Sequence, residues 1–261
     1  MSPSARRTVF LLGAVGFAAL FLWGLGGLPP AGDYRGPYGN VLNRVTVQQR
    51  HVTDVVTAVN FDYRGIDTVG EEFILFAAVA GVALLLRAER DEGDRDTDDG
   101  AREQARAGGQ DGREQGSEAV RALALALAPP LALFALYIIA HGQLTPGGGF
   151  QGGVILASAF LALVVGGDYG ALRALAPTGR IDLADALGAA GFVVVGAAAL
   201  LVGLPYLQNV APLGPVGTIY SGGTIPLIDL AVGLEVGSGF LLILSEFLEQ
   251  TLRLRRRRRH G

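Results

Sequence analysis

The sequence predicts an all-α integral membrane protein with about six transmembrane helices, two before and four after a disordered charged linker. Half of the 261 residues are apolar, and the mean hydropathy is +0.40. The apolar residues form long blocks, whereas the charged residues, 17% of the chain, lie between them. This distribution is atypical of a soluble domain. The 39 glycines also favour a membrane protein, because small residues let membrane helices approach closely.

Six apolar stretches are candidate spans, since a helix needs roughly 20 residues to cross a hydrocarbon core of ~30 Å. The second and fourth stretches are shorter than this and need polar or glycine flanks. The first follows two arginines, as a signal peptide would, but its apolar run is too long for one. We therefore expect a retained anchor. The stretches are about 8–28, 71–87, 121–141, 150–167, 183–204 and 226–248.

Composition divides the chain into four segments. Residues 1–87 form a two-helix module, residues 121–250 a four-helix module, and residues 251–261 an arginine-rich tail. Between the modules, residues 88–120 are rich in Asp, Glu, Arg, Gly and Gln and have almost no apolar content. Such a segment cannot offset its ordering entropy by burial, so we expect a disordered linker. A docking segment is the alternative interpretation.

One stretch of the first module is amphipathic. In residues 46–60, valines at positions 52, 55, 56 and 59 follow the i, i+3, i+4, i+7 spacing of one helical face. This spacing predicts a helix that lies at the outer interface or packs on a partner.

Arginine placement predicts the orientation, because cytoplasmic loops carry an excess of basic residues. The outer loops 142–149 and 205–225 contain no arginine, whereas the tail carries six. We expect both termini in the cytoplasm, a plasma-membrane location, and contact of the tail with anionic lipid. A stub this short has no folded domain behind it, so nucleic acid is not an expected partner.

Several chemistries are excluded by residue counts. The chain has no cysteine, and all 21 basic residues are arginine. It therefore lacks thiolate metal sites, cysteine nucleophiles, the lysine of a P-loop and Schiff-base chemistry. With three histidines, an all-histidine metal or haem site is not expected. No serine-hydrolase or zinc-protease motif occurs. We expect no cofactor, no metal site and no enzymatic activity.

The four-helix module contains an unusual turn, HGQLTPGGGFQGG at residues 141–153, with six glycines and one proline in thirteen residues. The composition predicts a tight turn that packs closely against neighbours, with small-xxx-small contacts. The string HGQLTPGGGFQGGVILASAF closely resembles the signature of the MnhB-type subunit of the Mrp (Mnh) multi-subunit Na⁺/H⁺ antiporters. The signature residues are Thr145, Pro146, Gly147, Gly148, Gly149, Phe150, Gly152 and Gly153.

The first module carries a second resemblance. Its stretch NFDYRGIDTVGE, residues 60–71, is similar to a stretch near the C-terminus of the large MnhA-type antiporter subunit and to the small E subunit of related membrane-bound hydrogenases. The residues that match are Asp62, Arg64, Gly65, Asp67 and Glu71. The chain thus resembles the tail of an MnhA-type subunit fused to an MnhB-type subunit. This implies an accessory membrane subunit of a complex that exchanges Na⁺ for H⁺, with large antiporter-like and small membrane subunits as partners.

Two glutamates are the main candidates for an ion or proton path. The resemblance places Glu71 on such a path, at the outer start of the second span; stabilisation of the helix dipole is the alternative. Glu235 lies nine residues into the last predicted helix, roughly 14 Å deep at 1.5 Å per residue. A carboxylate at this depth is a relay candidate or a structural polar partner, unless the span is misplaced. Glu72 follows Glu71 without an assigned role.

Glu246 and His141 complete the candidates. Glu246 lies on a polar stripe of the last helix with Ser238 and Gly239, and His141 ends the third span. A histidine there is able to move protons at neutral pH or simply to interact with the helix C-terminus.

Three functions remain open from the sequence. The leading hypothesis is an antiporter component that packs against large ion-translocating subunits and supplies acidic residues to a Na⁺ or H⁺ path. The second is a membrane-arm component of a hydrogenase or related redox complex, and the third is a structural membrane scaffold without an ion site.

Overall fold

The computed structural model describes residues 3–28, 36–87, 118–166, 172 and 176–260. These residues form eight α-helices and one π-helical turn, and no strand occurs among them. The expected all-α membrane fold is confirmed. The α-helices are α1 (Pro3–Gly26), α2 (Pro37–Arg50), α3 (Val55–Ala58), α4 (Gly65–Arg87), α5 (Glu118–Ala140), α6 (Gly149–Val165), α7 (Thr178–Leu201) and α8 (Ile225–His260), with the π-helical turn at Val59–Tyr63.

Five helices in the described part of the chain are long and apolar enough to cross a membrane, namely α1, α4, α5, α7 and α8. The second span is longer than the sequence predicts, because α4 begins at Gly65 and includes the polar flank before residue 71. The sixth helix, α6, has 17 residues, about 26 Å at 1.5 Å per residue. It is as short as its apolar stretch indicates.

The chain divides into two compact units, Met1–Leu42 and Asn43–Gly261. In the first unit, the large apolar side chains of α1 are exposed all round. Such a surface requires hydrocarbon or a partner subunit around it.

The second unit is assembled around α8, which packs against α4, α6 and α7, while α5 packs against α6. Two apolar clusters fill it. One joins the residues around the π-helical turn to α7 and α8, where Phe61 meets Phe192 edge to face. The other joins α4, α6 and the middle of α8 through Val79, Ala157 and Leu241. Because α8 is enclosed on three sides, five of its polar residues are buried: Asp229, Glu235, Ser238, Ser245 and Glu246.

The prediction of one amphipathic helix over residues 46–60 is wrong. Helix α2 ends at Arg50, and His51 has a positive φ of 55°. The Asp54 side chain then caps the four-residue helix α3 by accepting from Val56 N–H and Thr57 N–H. Asp54 is a strong N-cap residue that starts a helix rather than continuing one. The break also separates Val52, which is fully buried, from exposed Val56.

Two predicted segment boundaries differ from the structure. Helix α5 begins at Glu118, inside the linker expected over residues 88–120; residues 88–117 lie outside the described residues. Helix α8 runs to His260, so the backbone of the arginine-rich tail continues the last span.

Candidate functional site

A buried carboxyl group lies in the first third of α8, the longest helix among the described residues. Glu235 occupies the eleventh position of α8 and is 0% exposed. In the described part of the chain, neither of its carboxyl oxygens has a hydrogen-bond donor. A carboxylate in a membrane helix costs about 2.5–3.5 kcal/mol on insertion scales, so it is ordinarily paired, hydrated or functional. Glu235 therefore requires an explanation from its neighbours.

Two further acids face Glu235 from two other helices. Glu72 of α4 is 6% exposed and in side-chain hydrogen-bonding contact with Glu235, and Asp185 of α7 is 5% exposed and within electrostatic range of it. Glu72 Oε2 and Asp185 Oδ1 also lack a hydrogen-bond partner among the described residues. We call Glu72, Asp185 and Glu235 the acidic cluster. It unites three helices that are far apart in sequence.

Glycines allow this convergence. A Cβ added at Gly188 of α7 would lie 2.6 Å from Glu235 Cβ, and one at Gly239 of α8 would lie 3.1 Å from Asp185 Oδ1. A methyl group at Gly188 would separate α7 from α8 at the level of Glu235, because real Cβ contacts are longer than this. The close approach of two helix backbones thus places Asp185 beside Glu235.

The structure places Glu71 and Glu72 differently. Glu71 is exposed on the described chain, whereas Glu72 is buried beside Glu235. Sequence reasoning missed Glu72 because it started the helix at residue 71. With α4 beginning at Gly65, the buried positions Thr68, Glu72 and Val79 follow helical spacing on one face. A role of Glu71 in the ion path stays a prediction.

A second polar group lies nearer the C-terminal end of α8. Arg87, the last residue of α4, donates from Nε to Glu246 Oε1 at 2.5 Å and from Nη2 to Asp182 Oδ1 at 2.9 Å. Glu246 is buried and Asp182 is partly exposed. We call Arg87, Asp182 and Glu246 the arginine cluster. Asp182 also interacts electrostatically with Asp185, so the two clusters are neighbours on α7.

The glycine-rich turn is bound to α8 at the opposite end of that helix. The Gly149 N–H donates to Asp229 Oδ1 at 2.8 Å, and Asp229 is fully buried. Gly147 and Gly148 have φ values of 148° and 122°, which residues with a Cβ rarely adopt. A carboxylate at the first N–H of α6 also interacts favourably with the helix dipole.

The remaining signature glycines bring helices together. A Cβ at Gly153 would lie 2.8 Å from Val236 Cβ of α8, and a Cβ at Gly152 would lie 2.9 Å from the Ala135 carbonyl oxygen of α5. Phe150 is exposed on the outside of α6, and Thr145 and Pro146 lie in the turn before it. This stretch packs α6 tightly against both α5 and α8.

His141 lies at the start of the same turn. Its ring stacks on Tyr137 with centroids 4.1 Å apart, and its Nδ1 lies 3.0 Å from the Tyr137 carbonyl oxygen. Two residues on, the backbone carbonyl oxygen of buried Gln143 accepts from the N–H groups of Thr53 and Asp54 at 3.1 and 3.2 Å. The turn therefore also binds the segment between α2 and α3, and the structure does not bring His141 to the acidic cluster.

The motif residues of the first module form local ion pairs. Asp62 Oδ1 lies 2.5 Å from Arg50 Nε, and Arg64 pairs with Asp67. Gly65 begins α4 where a Cβ would lie 3.3 Å from a Leu207 methyl group. These contacts shape the start of α4 and thereby the position of Glu72.

The acidic cluster contributes three carboxyl groups from three helices. In the described ranges, no group of three His, Cys, Asp or Glu side chains is arranged to hold a metal ion. Outside the spans, burial raises the pKa of the Tyr206 hydroxyl.

Comparisons with known proteins support the resemblance read from the motifs. Residues 119–242 match a family of domains related to the MnhB subunit of Na⁺/H⁺ antiporters. An uncharacterised protein of Methanocaldococcus jannaschii is 29% identical over 213 residues, 76% of this chain and 78% of that protein. The B subunit of a Bacillus subtilis Na⁺/H⁺ antiporter is 35% identical over 77 residues, 30% of this chain and 53% of that protein.

Two solved membrane complexes contain similar chains. One is the membrane-bound sulfane sulfur reductase, an archaeal respiratory membrane complex, with a TM-score of 0.68 and 29% identity over 94% of this chain and 98% of that one. The other is the Mrp complex from a Dietzia species, with a TM-score of 0.67 and 26% identity over 94% of this chain and 26% of that one. The similarity to multi-subunit complexes thus extends over nearly the whole sequence.

Proposed function

We propose that this protein, whose residues 119–242 match a family of domains related to the MnhB subunit of Na⁺/H⁺ antiporters, is an accessory membrane subunit of a multi-subunit cation/proton antiporter. It packs against large ion-translocating subunits and small membrane subunits, and it contributes acidic residues to the ion or proton path. The observation that carries this proposal is the buried acidic cluster. Its Asp185 and Glu235 lie within the matched residues 119–242, Glu72 lies before them, and in the described chain no basic partner neutralises Glu235.

Several features support assembly with other subunits. The apolar side chains of α1, and those on the outer faces of α5 and α7, are exposed in the isolated chain. Both solved relatives are chains of multi-subunit membrane complexes. In this proposal the protein is a multi-pass component of the plasma membrane with both termini in the cytoplasm. It carries no cofactor of its own, and its tail contacts anionic lipid.

The experiment compares vesicles that contain the whole complex with and without this chain. Na⁺-driven dissipation of a pH gradient, followed with a fluorescent pH probe, is expected to require the chain. Glu235→Gln is expected to lower exchange at least tenfold at equal complex abundance, while Glu118→Gln, the same change at an exposed helix start, is the matched control. Glu71→Gln tests the role that the sequence assigns to that residue. Full exchange without the chain refutes the proposal.

A second candidate is a membrane-arm component of a respiratory redox complex. The observation that favours it is the near end-to-end match with a chain of the sulfane sulfur reductase, whereas the Dietzia chain is matched over about a quarter of its length. Purification of the native complex through a tag on this chain separates the two candidates. Co-purification of iron and a redox-active subunit supports the redox complex, and antiporter-like subunits without iron support the antiporter.

A purely structural scaffold is the third candidate. It predicts that Glu235→Gln leaves exchange unchanged in a normally assembled complex. The same vesicle measurement therefore decides between a scaffold and a contributor to the path.

A further inference from the structure

We propose that the acidic cluster is a proton-storing site, and that the ion handled by this chain is H⁺ rather than Na⁺. The inference rests on the proposed function and names the substrate of its site. Glu72 and Glu235 hold one proton between them, and Asp185 is the next proton acceptor, on the route towards the arginine cluster.

The geometry of the Glu72–Glu235 contact is the first argument. The two side chains are in hydrogen-bonding contact, yet ionised carboxylates carry no donor. Both oxygens of Glu235 and Oε2 of Glu72 are without another donor in the described chain. A single proton shared by the pair supplies the missing donor and removes one of two adjacent negative charges.

The charges around the pair are the second argument. Exposed Glu71 acts on Glu72 from the same helix, and Asp185 acts on Glu235 from α7. Both of these neighbours are acidic. The nearby Arg87 is held by Asp182 and Glu246, so it neutralises the arginine cluster instead. A proton is then the positive charge that the buried pair requires.

The neighbours also provide a route for this proton. At one end of the route, Glu72 lies next to the exposed Glu71. At the other end, Asp185 lies beside Asp182, whose side chain is 40% exposed. In each step one O–H bond breaks as another forms: water protonates the Glu72–Glu235 pair, the pair protonates the Asp185 carboxylate, and Asp185 returns the proton to water near Asp182. Each passage moves one H⁺ and changes no other bond. Glu72 and Asp185 thus connect Glu235 to the two ends of this proton route.

Infrared spectroscopy of the purified whole complex tests the storage site without relying on transport. We expect a C=O stretch of a protonated carboxyl group at neutral pH that shifts in D₂O. Glu72→Gln and Glu235→Gln should each abolish this band, whereas Glu118→Gln should keep it. Absence of the band in the wild-type complex, or its survival in both variants, overturns the proposal. Two independent variants keep the test valid if one of them fails to assemble.

Transport measurements then separate H⁺ from Na⁺. Asp185→Asn is expected to shift the pH profile of exchange by one unit or more while the KM for Na⁺ changes less than twofold. A tenfold rise in the KM for Na⁺ with an unchanged pH profile would instead assign the site to Na⁺ and overturn the proposal. If the complex shows the carboxyl band but no Na⁺/H⁺ exchange, the proposed function fails and the proton site stands.

Discussion

Replacement of Arg87 by methionine is expected to destabilise the packing of α4 against α8 by about 3 kcal/mol. Arg87 is the cation at the C-terminal end of α4, and its Nε lies 2.5 Å from the Glu246 carboxylate of α8. Methionine keeps the length and much of the volume of the arginine stem but removes the charge. The variant therefore leaves Glu246 as an unpaired carboxylate in a nearly closed environment.

The magnitude follows from the exposure of the three side chains. Glu246 is 4% exposed and Arg87 28% exposed, whereas Asp182 is 40% exposed. Breaking a buried pair by removal of one partner costs about 3–5 kcal/mol, because the other charge stays buried. Because Arg87 is partly exposed, we expect a free-energy cost at the lower end of this range. An exposed pair such as Arg87–Asp182 contributes about 0–1 kcal/mol, so Asp182→Asn should be nearly neutral.

The assay is thermal dissociation of this chain from the purified complex, with a double variant as the control. We expect the wild type and Asp182→Asn to dissociate at the same temperature and Arg87→Met to dissociate at the lowest temperature. The double variant Arg87→Met/Glu246→Gln should recover most of the dissociation temperature that Arg87→Met loses. The double variant recovers because it removes the unpaired charge along with its partner. If Arg87→Met dissociates at the wild-type temperature, or if the double variant dissociates at a lower temperature than Arg87→Met, then the Arg87–Glu246 pair does not bind α4 to α8.

Three further predictions concern the glycine-rich turn and the orientation of the chain. Gly153→Ala is expected to lower the stability of the chain by about 1–3 kcal/mol by overpacking α6 against α8, since its Cβ would lie 2.8 Å from a valine Cβ. Gly70→Ala is the control in the same thermal assay, because a Cβ at Gly70 would have nothing within 4 Å. Asp229→Ala is expected to lower the stability of the chain by about 1–3 kcal/mol because the buried Gly149 N–H loses its acceptor. Asp229→Asn keeps an acceptor, so its dissociation temperature should be closer to that of the wild type. Single cysteines test the orientation directly, since the chain has none of its own: Val216→Cys should react with an impermeant maleimide in intact cells, and His260→Cys only after permeabilisation. Labelling of both sites in intact cells would contradict the expected topology.

Much of the fold is a local property of the sequence. Blocks of apolar residues predict membrane helices because each residue contributes its own transfer free energy, whatever the tertiary structure. The helices follow the apolar stretches closely except where polar residues belong to a span, as at Gly65–Gly70 in α4. The break at Asp54 was missed because valine spacing extends through it, while a capping side chain and a positive φ at His51 end and restart the helix.

The candidate site divides in the same way. Glu235 could be predicted from sequence, because a carboxylate deep in an apolar helix is expensive wherever the helix packs. Its partners depend on packing: Glu72 and Asp185 come from helices α4 and α7, and the Arg87–Glu246 pair joins residues 159 positions apart. No local sequence pattern predicts contacts between residues so far apart in the chain.

The sequence by itself determined the membrane class, the apolar spans and the place of Glu235 within the last of them, because hydropathy and helical rise are additive along the chain. Only the tertiary structure decided that Glu72, rather than Glu71, faces the interior. It also decided that Asp229 binds the start of α6. The physical reason is that a side chain's partners depend on how helices approach and rotate against each other. Glycines such as Gly188 set that approach through contacts with other helices.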